Sequence, residues 1–115
     1  PVLLELRQRL ERSLGARFNS VLANAYRDGQ DSMGWHADDE PELGPRPLIA
    51  SISLGATRRF LIRERGRSRS SGLDLETGSL LVMKGDCQST YRHCVPKTRK
   101  PAGLRINLTY RKIVG

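Results

Sequence analysis

The feature that most limits what this chain can fold into is a change of hydrophobic period at Gly15. Before it, Leu3, Leu6, Leu10 and Leu14 recur at intervals of three and four residues, the spacing of one apolar stripe on an α-helix. An amphipathic helix is expected over residues 2–14, with Gly15 as its stop signal and a solvated charged face that carries no chemistry. After Gly15, short segments read as strands: Asn19 to Tyr26, Leu48 to Leu54, Arg58 to Arg63, Gly78 to Met83 and Leu104 to Ile113. Turn formers separate them, including Asp28-Gly29, Gly44-Pro45-Arg46-Pro47, an Arg/Ser-rich hairpin tip at Gly66 to Gly72 and a basic connection from Pro96 to Gly103. One helix followed by many short strands predicts a mainly β sandwich or barrel. Leu80-Leu81-Val82-Met83 is apolar on both faces, as a central strand should be.

With 115 residues, the chain is long enough for one compact domain and not two. No apolar run approaches the length of a membrane-spanning helix. Residue 1 is Pro rather than Met, so the segment is expected to have been cut from something longer or processed. The net charge of +8 favours association with polyanions, although charge alone does not say which and also serves solubility. Cys87 and Cys94 are too few for a disulfide scaffold and lack zinc-site spacing, so free thiols in a reducing compartment are expected.

Chemistry concentrates in Met33-Gly-Trp-His-Ala-Asp-Asp-Glu-Pro41. Alternate side chains of an extended strand point the same way, so His36 and Asp38 would share a face. The remaining histidine, His93, is distant in sequence, as a third ligand from another strand would be. Two His and one carboxylate form the facial triad of non-haem Fe(II) oxygenases. Against this stands the ordinary reading of His-x-Asp, a surface ion pair.

Two further stretches present polar side chains in register. Along Leu104 to Arg111, one face holds Leu104, Ile106, Leu108 and Tyr110, and the other Arg105, Asn107, Thr109 and Arg111. The two arginines would stand roughly 20 Å apart, close enough for long side chains to reach opposite ends of a small dianion. The plainer alternative turns the apolar face to the core and the polar face to water. Asn24 and Tyr26 likewise share a face and are able to hydrogen-bond a carboxylate oxygen; a half-buried strand with polar residues outward would look the same.

Taken together, these residues resemble the AlkB family of Fe(II)- and 2-oxoglutarate-dependent dioxygenases, in its nucleic-acid repair branch. The matching pieces run in order: Phe18 to Tyr26, Trp35 to Gly44, Ile49 to Thr57, His93-Cys-Val-Pro-Lys97 and Arg105-Ile-Asn-Leu-Thr-Tyr-Arg111. The resemblance implies a double-stranded β-helix, or jelly roll, with an N-terminal supporting helix and one catalytic core over residues 1–115. It implies Fe(II) bound by His36, Asp38 and His93, with 2-oxoglutarate and O2 as cosubstrates. Asn24, Tyr26, Arg105, Asn107 and Arg111 match the family's 2-oxoglutarate residues, with Arg105 at the distal carboxylate and Arg111 near the chelating end. Asp39 matches a position that approaches the substrate base.

The activity implied is oxidative demethylation of N-alkylated bases in DNA or RNA, releasing formaldehyde, succinate and CO2. The target base must leave its stack to be reached. Trp35 and Tyr91 are the aromatics available to stack on it, and either would serve equally as core. Arg58, Arg59, Arg63, Arg65, Arg67 and Arg69, with Lys97, Arg99 and Lys100, are the basic residues available to phosphates or simply to solvent. The family usually carries a nucleotide-recognition lid before this core, and this chain is expected to lack a full one. A monomer without a membrane partner is expected, in the cytoplasm, or in the nucleus of a eukaryote. The alternatives are an AlkB-like dioxygenase acting on protein or lipid, and a non-catalytic, basic nucleic-acid-binding module.

Overall fold

The computed structural model describes residues 2–100 and 102–114; Pro1, Pro101 and Gly115, the last two within the expected basic connection and beyond the last strand, lie outside them. Among the described residues, helix α1 (Val2–Leu14) is followed by eight strands: β1 (Ser20–Tyr26), β2 (Met33–His36), β3 (Ile49–Gly55), β4 (Arg58–Glu64), β5 (Ser71–Leu75), β6 (Leu80–Met83), β7 (Tyr91–Val95) and β8 (Arg105–Arg111). A 3-10 turn at Pro41–Leu43 and a short helix α2 (Cys87–Thr90) interrupt them. The strands form two antiparallel four-stranded sheets, in the orders β1-β8-β3-β6 and β2-β7-β4-β5. This is the jelly roll with its N-terminal helix.

The core has two parts because one sheet is covered on both faces. Between the sheets lie Tyr26, Ile49, Phe60, Leu75, Met83 and Val95. Where α1 meets the outer face of the first sheet, Leu10 of the helix packs with Phe18, Ala50, Ile52, Leu108 and Tyr110. Alternation along β3 makes this possible: Ile49 points between the sheets and Ala50 toward the helix, and Ile49 through Ser53 are all buried. The helix stripe is shorter than its period suggests. Leu6, Leu10 and Leu14 pack against the sheet, whereas Leu3 is 45% exposed. The first turn is held instead by Tyr110, whose hydroxyl donates to the Leu3 carbonyl at 2.9 Å.

Strand β8 settles which of its faces is inward. Arg105, Asn107, Thr109 and Arg111 line the cavity between the sheets, while Leu104 and Ile106 are exposed and only Leu108 and Tyr110 are covered by the helix. The expectation of strands is otherwise met within two residues at each end. Strand β5 and helix α2 are additions, while β2 and β7 are the strands that the reading of His36 and His93 implies without giving them bounds. The Arg/Ser-rich tip closes at Ser71 into a strand paired to β4 from Arg58↔Leu75 to Ile62↔Ser71.

A candidate metal centre beside an anion cradle

Between the sheets lies a cavity of about 230 Å³. Its walls carry His36, Asp38 and His93 from one sheet and the loop beyond it, and Asn24, Tyr26, Arg105, Asn107, Thr109 and Arg111 from the other. The ligand-capable atoms of His36, Asp38 and His93 all lie within 4.8 Å of one another.

Each candidate ligand is positioned differently. His36 and His93 are directly paired across β2 and β7, and the register of β2 shifts between Met33 and His36. Three residues apart, those two would face opposite ways on a regular strand; the irregularity lets both line the cavity. His36 Nδ1 lies 2.7 Å from the Gly34 carbonyl, a contact made by the tautomer that leaves Nε2 its lone pair. His93 is 5% exposed, and its ring stacks on Phe60 at 5.3 Å between centroids. Asp38 is not on a strand at all, because β2 ends at His36. Its backbone N–H donates to Gln88 Oε1 at 2.8 Å, which holds the loop against α2.

The electrostatics suit a cation. Burial, reinforced by His36, pulls the His93 imidazole down to about 4, so at neutral pH it is an uncharged donor. Burial also pushes the Asp38 carboxyl up, with Glu40 and Asp39 adding to it and His36 and Arg111 opposing. With His93 neutral, its 3.6 Å approach to Asp38 is no ion pair. Two imidazole nitrogens and a carboxylate oxygen, converging from a ladder pair and an adjacent loop, fit a divalent metal with further positions open.

Opposite them stands a buried anion cradle. Arg105 is 1% exposed; its Nη2 donates to Ser53 Oγ at 2.8 Å, yet Nε and Nη1 are buried without a partner. Its guanidinium carbon lies 4.9 Å from the ring centroid of Tyr26, its partner across β1 and β8. Burial lowers the Arg105 pKa and Tyr26 opposes the shift, but a guanidinium stays charged regardless. A buried cation with unmet donors is unfavourable until an anion reaches it, and a carboxylate fits that fork. Asn107, opposite Asn24, donates to Ser51 Oγ at 2.6 Å, and Thr109 Oγ1 donates to Asn107 Oδ1 at 3.0 Å. At the other end of β8, Arg111 Nη1 comes within 3.9 Å of Glu40, and its Nε is buried and unpartnered. The cradle thus offers one arginine at each end, the second near enough to Asp38 to oppose the upward shift of its carboxyl.

The residues expected to meet the substrate do not gather at the cavity. Arg58 is corrected: it is 2% exposed, and its guanidinium donates to the carbonyls of Asp28, Asp31 and Pro96 at 3.1, 2.9 and 2.8 Å, so it ties loops together and has no surface to offer a phosphate. Trp35 turns away from the cavity that its neighbour His36 lines, and Arg63 stacks on it at 4.1 Å. Asp39 is exposed beside the site, with Arg65 Nη2 at 3.3 Å. Tyr91 is 38% exposed and does not line the cavity. Of the arginines, Arg63, Arg65, Arg67 and Arg92 gather around one surface groove.

Sequence reasoning missed Gln88, Ser51 and Ser53. The serines carry the only visible signal, polar residues alternating within an otherwise apolar β3. Gln88 carries none.

The model of the 2OG-Fe(II) oxygenase superfamily matches residues 1–111 of this chain. Alpha-ketoglutarate-dependent dioxygenase alkB homolog 3 of Rattus norvegicus is 43% identical over 122 aligned residues, covering 98% of this chain and 41% of the relative. DNA oxidative demethylase ALKBH2 of Homo sapiens is 43% identical over 122, covering 99% and 47%. The chain therefore spans less than half the length of these relatives. Among solved structures, OsALKBH1 superposes with a TM-score of 0.66 at 23% identity, over 96% of this chain and 60% of that one. The Drosophila melanogaster CENP-C cupin domain gives 0.56 at 5% identity over 80% and 59%, a likeness of fold alone.

Proposed function

The chain belongs to the 2OG-Fe(II) oxygenase superfamily, in its AlkB group, and on that premise we propose that it is an Fe(II)- and 2-oxoglutarate-dependent dioxygenase that oxidatively demethylates N-alkylated bases in DNA or RNA. The observation that carries this reading is the convergence of His36, Asp38 and His93 within 4.8 Å on the wall of a cavity that also holds the unmet donors of Arg105. When bound there, Fe(II) with 2-oxoglutarate and O2 supplies a two-electron oxidation of the alkyl carbon, giving succinate, CO2 and formaldehyde.

The chain's own residues do the rest. His36, Asp38 and His93 would hold the metal in one facial set. Arg105, with Tyr26 beside it, would take the distal carboxylate of 2-oxoglutarate, and Arg111 would face its chelating end. Asn24 and Asn107 would fix its orientation. Phe60, Leu75, Met83 and Val95 keep the cavity's interior apolar, which strengthens each of these charge contacts by excluding water. Asp39, exposed and next in the chain to Asp38, would meet a base delivered from outside.

Nucleic acid is favoured over protein or lipid by the net charge of +8 and by the groove of Arg63, Arg65, Arg67 and Arg92. Among the described residues, no helix is long and apolar enough to cross a membrane. The reading includes a monomeric catalytic core, acting in the cytoplasm or, in a eukaryote, the nucleus.

Anaerobic titration with Fe(II) and 2-oxoglutarate tests the metal and cosubstrate through the visible charge-transfer band of the chelate. Formaldehyde release from a methylated oligonucleotide then tests the substrate. A band without formaldehyde keeps the oxygenase and rejects the substrate class; no band in folded protein leaves a basic binding module.

A further inference from the structure

Gln88 touches no ligand atom of the metal set, yet it joins the metal carboxylate's loop to the fold. It sits in α2 between β6 and β7 and is 2% exposed. Its Oε1 accepts the Asp38 N–H at 2.8 Å, and its Nε2 lies 3.5 Å from Met83 Sδ. Asp38 lies beyond the end of β2, so the sheet ladder that aligns His36 and His93 does not reach it. Gln88 is itself braced: its main-chain carbonyl accepts Arg65 Nη2 at 2.8 Å, and the same nitrogen lies 3.3 Å from Asp39 Oδ2. Adjacent loop residues, Asp38 and Asp39, are thus held through one buried glutamine and one arginine. A buried amide left unmet is costly, and the strong hydrogen bond that Gln88 makes through its side chain goes to the loop that carries Asp38.

We propose that Gln88 is a positioning residue for metal binding: through the Asp38 N–H it fixes the direction in which the Asp38 carboxylate is presented, with Arg65 as its outer brace. This rests on the reading that His36, Asp38 and His93 hold Fe(II). Removing groups that orient metal ligands weakens metal binding by roughly 10–100-fold.

The test is anaerobic calorimetric titration with Fe(II) alone on the wild-type chain, Gln88→Met and Gln88→Glu, with circular dichroism to establish folding. Methionine keeps the length but offers no strong acceptor. Glutamate keeps an acceptor oxygen for Asp38 and removes the donor facing Met83. Gln88→Met is expected to lose roughly 10–100-fold in Fe(II) affinity, and Gln88→Glu to bind no more weakly than wild type. Wild-type affinity in folded Gln88→Met overturns the proposal. Equal losses in both variants overturn it too, because they would assign the amide to packing. Should neither Gln88 variant fold, Arg65→Ala decides: weaker Fe(II) binding supports the proposal and unchanged binding overturns it. A wild-type chain that takes up no Fe(II) instead overturns the metal reading itself, and this inference with it.

Discussion

His36 and His93 oppose each other across β2 and β7 with ring centroids 4.3 Å apart and planes at 62°. The backbone ladder therefore sets the distance between the two candidate nitrogen ligands, and the carboxylate of Asp38 is added from a loop. This division makes the histidines the rigid half of the site. His93→Ala is expected to abolish the Fe(II)/2-oxoglutarate band and turnover while far-ultraviolet circular dichroism stays native. The strand pairing on either side, Ile62↔His93 and His36↔His93, is made by backbone and survives the truncation. Retained turnover would show that the triad is misassigned.

Arg105 leads to a second expectation, with opposite signs for stability and function. Replacing Arg105 by Met removes a buried cation whose Nε and Nη1 have no partner, so the ligand-free chain should be no less stable than wild type. A hydrogen bond to a charged group contributes about 1.5–3 kcal/mol, so the 2-oxoglutarate requirement should rise by roughly 10–150-fold. Thermal melts of Fe(II)-loaded protein should show 2-oxoglutarate raising the midpoint of wild type far more than that of the variant. An unchanged requirement would remove Arg105 from the cradle.

How far the sequence reveals this site depends on whether a residue acts through its own strand or through a distant loop. His36, His93, Arg105, Asn107 and Arg111 lie on strands, where period and motif give the direction of each side chain. Asp38 was expected on the same terms, but β2 is irregular and stops early, and the aspartate reaches the site from a loop. Arg58 and Arg105 show the limit most plainly. Both are buried strand arginines within cation–π distance of Tyr26, at 5.5 and 4.9 Å. One is spent on three main-chain carbonyls and the other is not, a difference that depends on where loops 28–31 and 96 fold back. Gln88 is illegible for the same reason, since its partner is a backbone N–H 50 residues away. The outward Ile106 escaped notice because an apolar residue on a strand is read as core, whereas here α1 covers only part of that face.

Arg58→Ala is accordingly a stability variant. It leaves the carbonyls of Asp28, Asp31 and Pro96 without their donor, at about 1–3 kcal/mol for a buried unmet group, together with the loss of side-chain packing on Tyr26. Urea denaturation should show a loss of unfolding free energy in that range or somewhat above it, read as a lower midpoint at unchanged slope. The salt dependence of DNA binding should not move. A flattened salt slope with full stability would return Arg58 to the nucleic-acid surface.

That slope should move for a different set of arginines. Arg65 is engaged by Gln88 and Asp39, whereas Arg63, Arg67 and Arg92 line the same groove with Arg63 resting on the Trp35 ring. Arg67 is only loosely paired, at 3.8 Å from Glu64, with both side chains largely exposed, a contact that contributes little. A phosphate would compete with it readily. Each phosphate neutralised contributes about 0.9 to the slope of log affinity against log salt on duplex DNA, and about 0.7 on single strands. Replacing Arg63, Arg67 and Arg92 by Gln should therefore flatten the slope by up to about 2–3, with Fe(II) and 2-oxoglutarate binding preserved because none of the three lines the cavity. Fluorescence anisotropy with a labelled oligonucleotide across a salt series measures this directly. An unaltered slope would assign the groove to solvent and move the search for the nucleic-acid surface to the basic residues around Lys97 and Lys100, which border a separate groove beside Arg59.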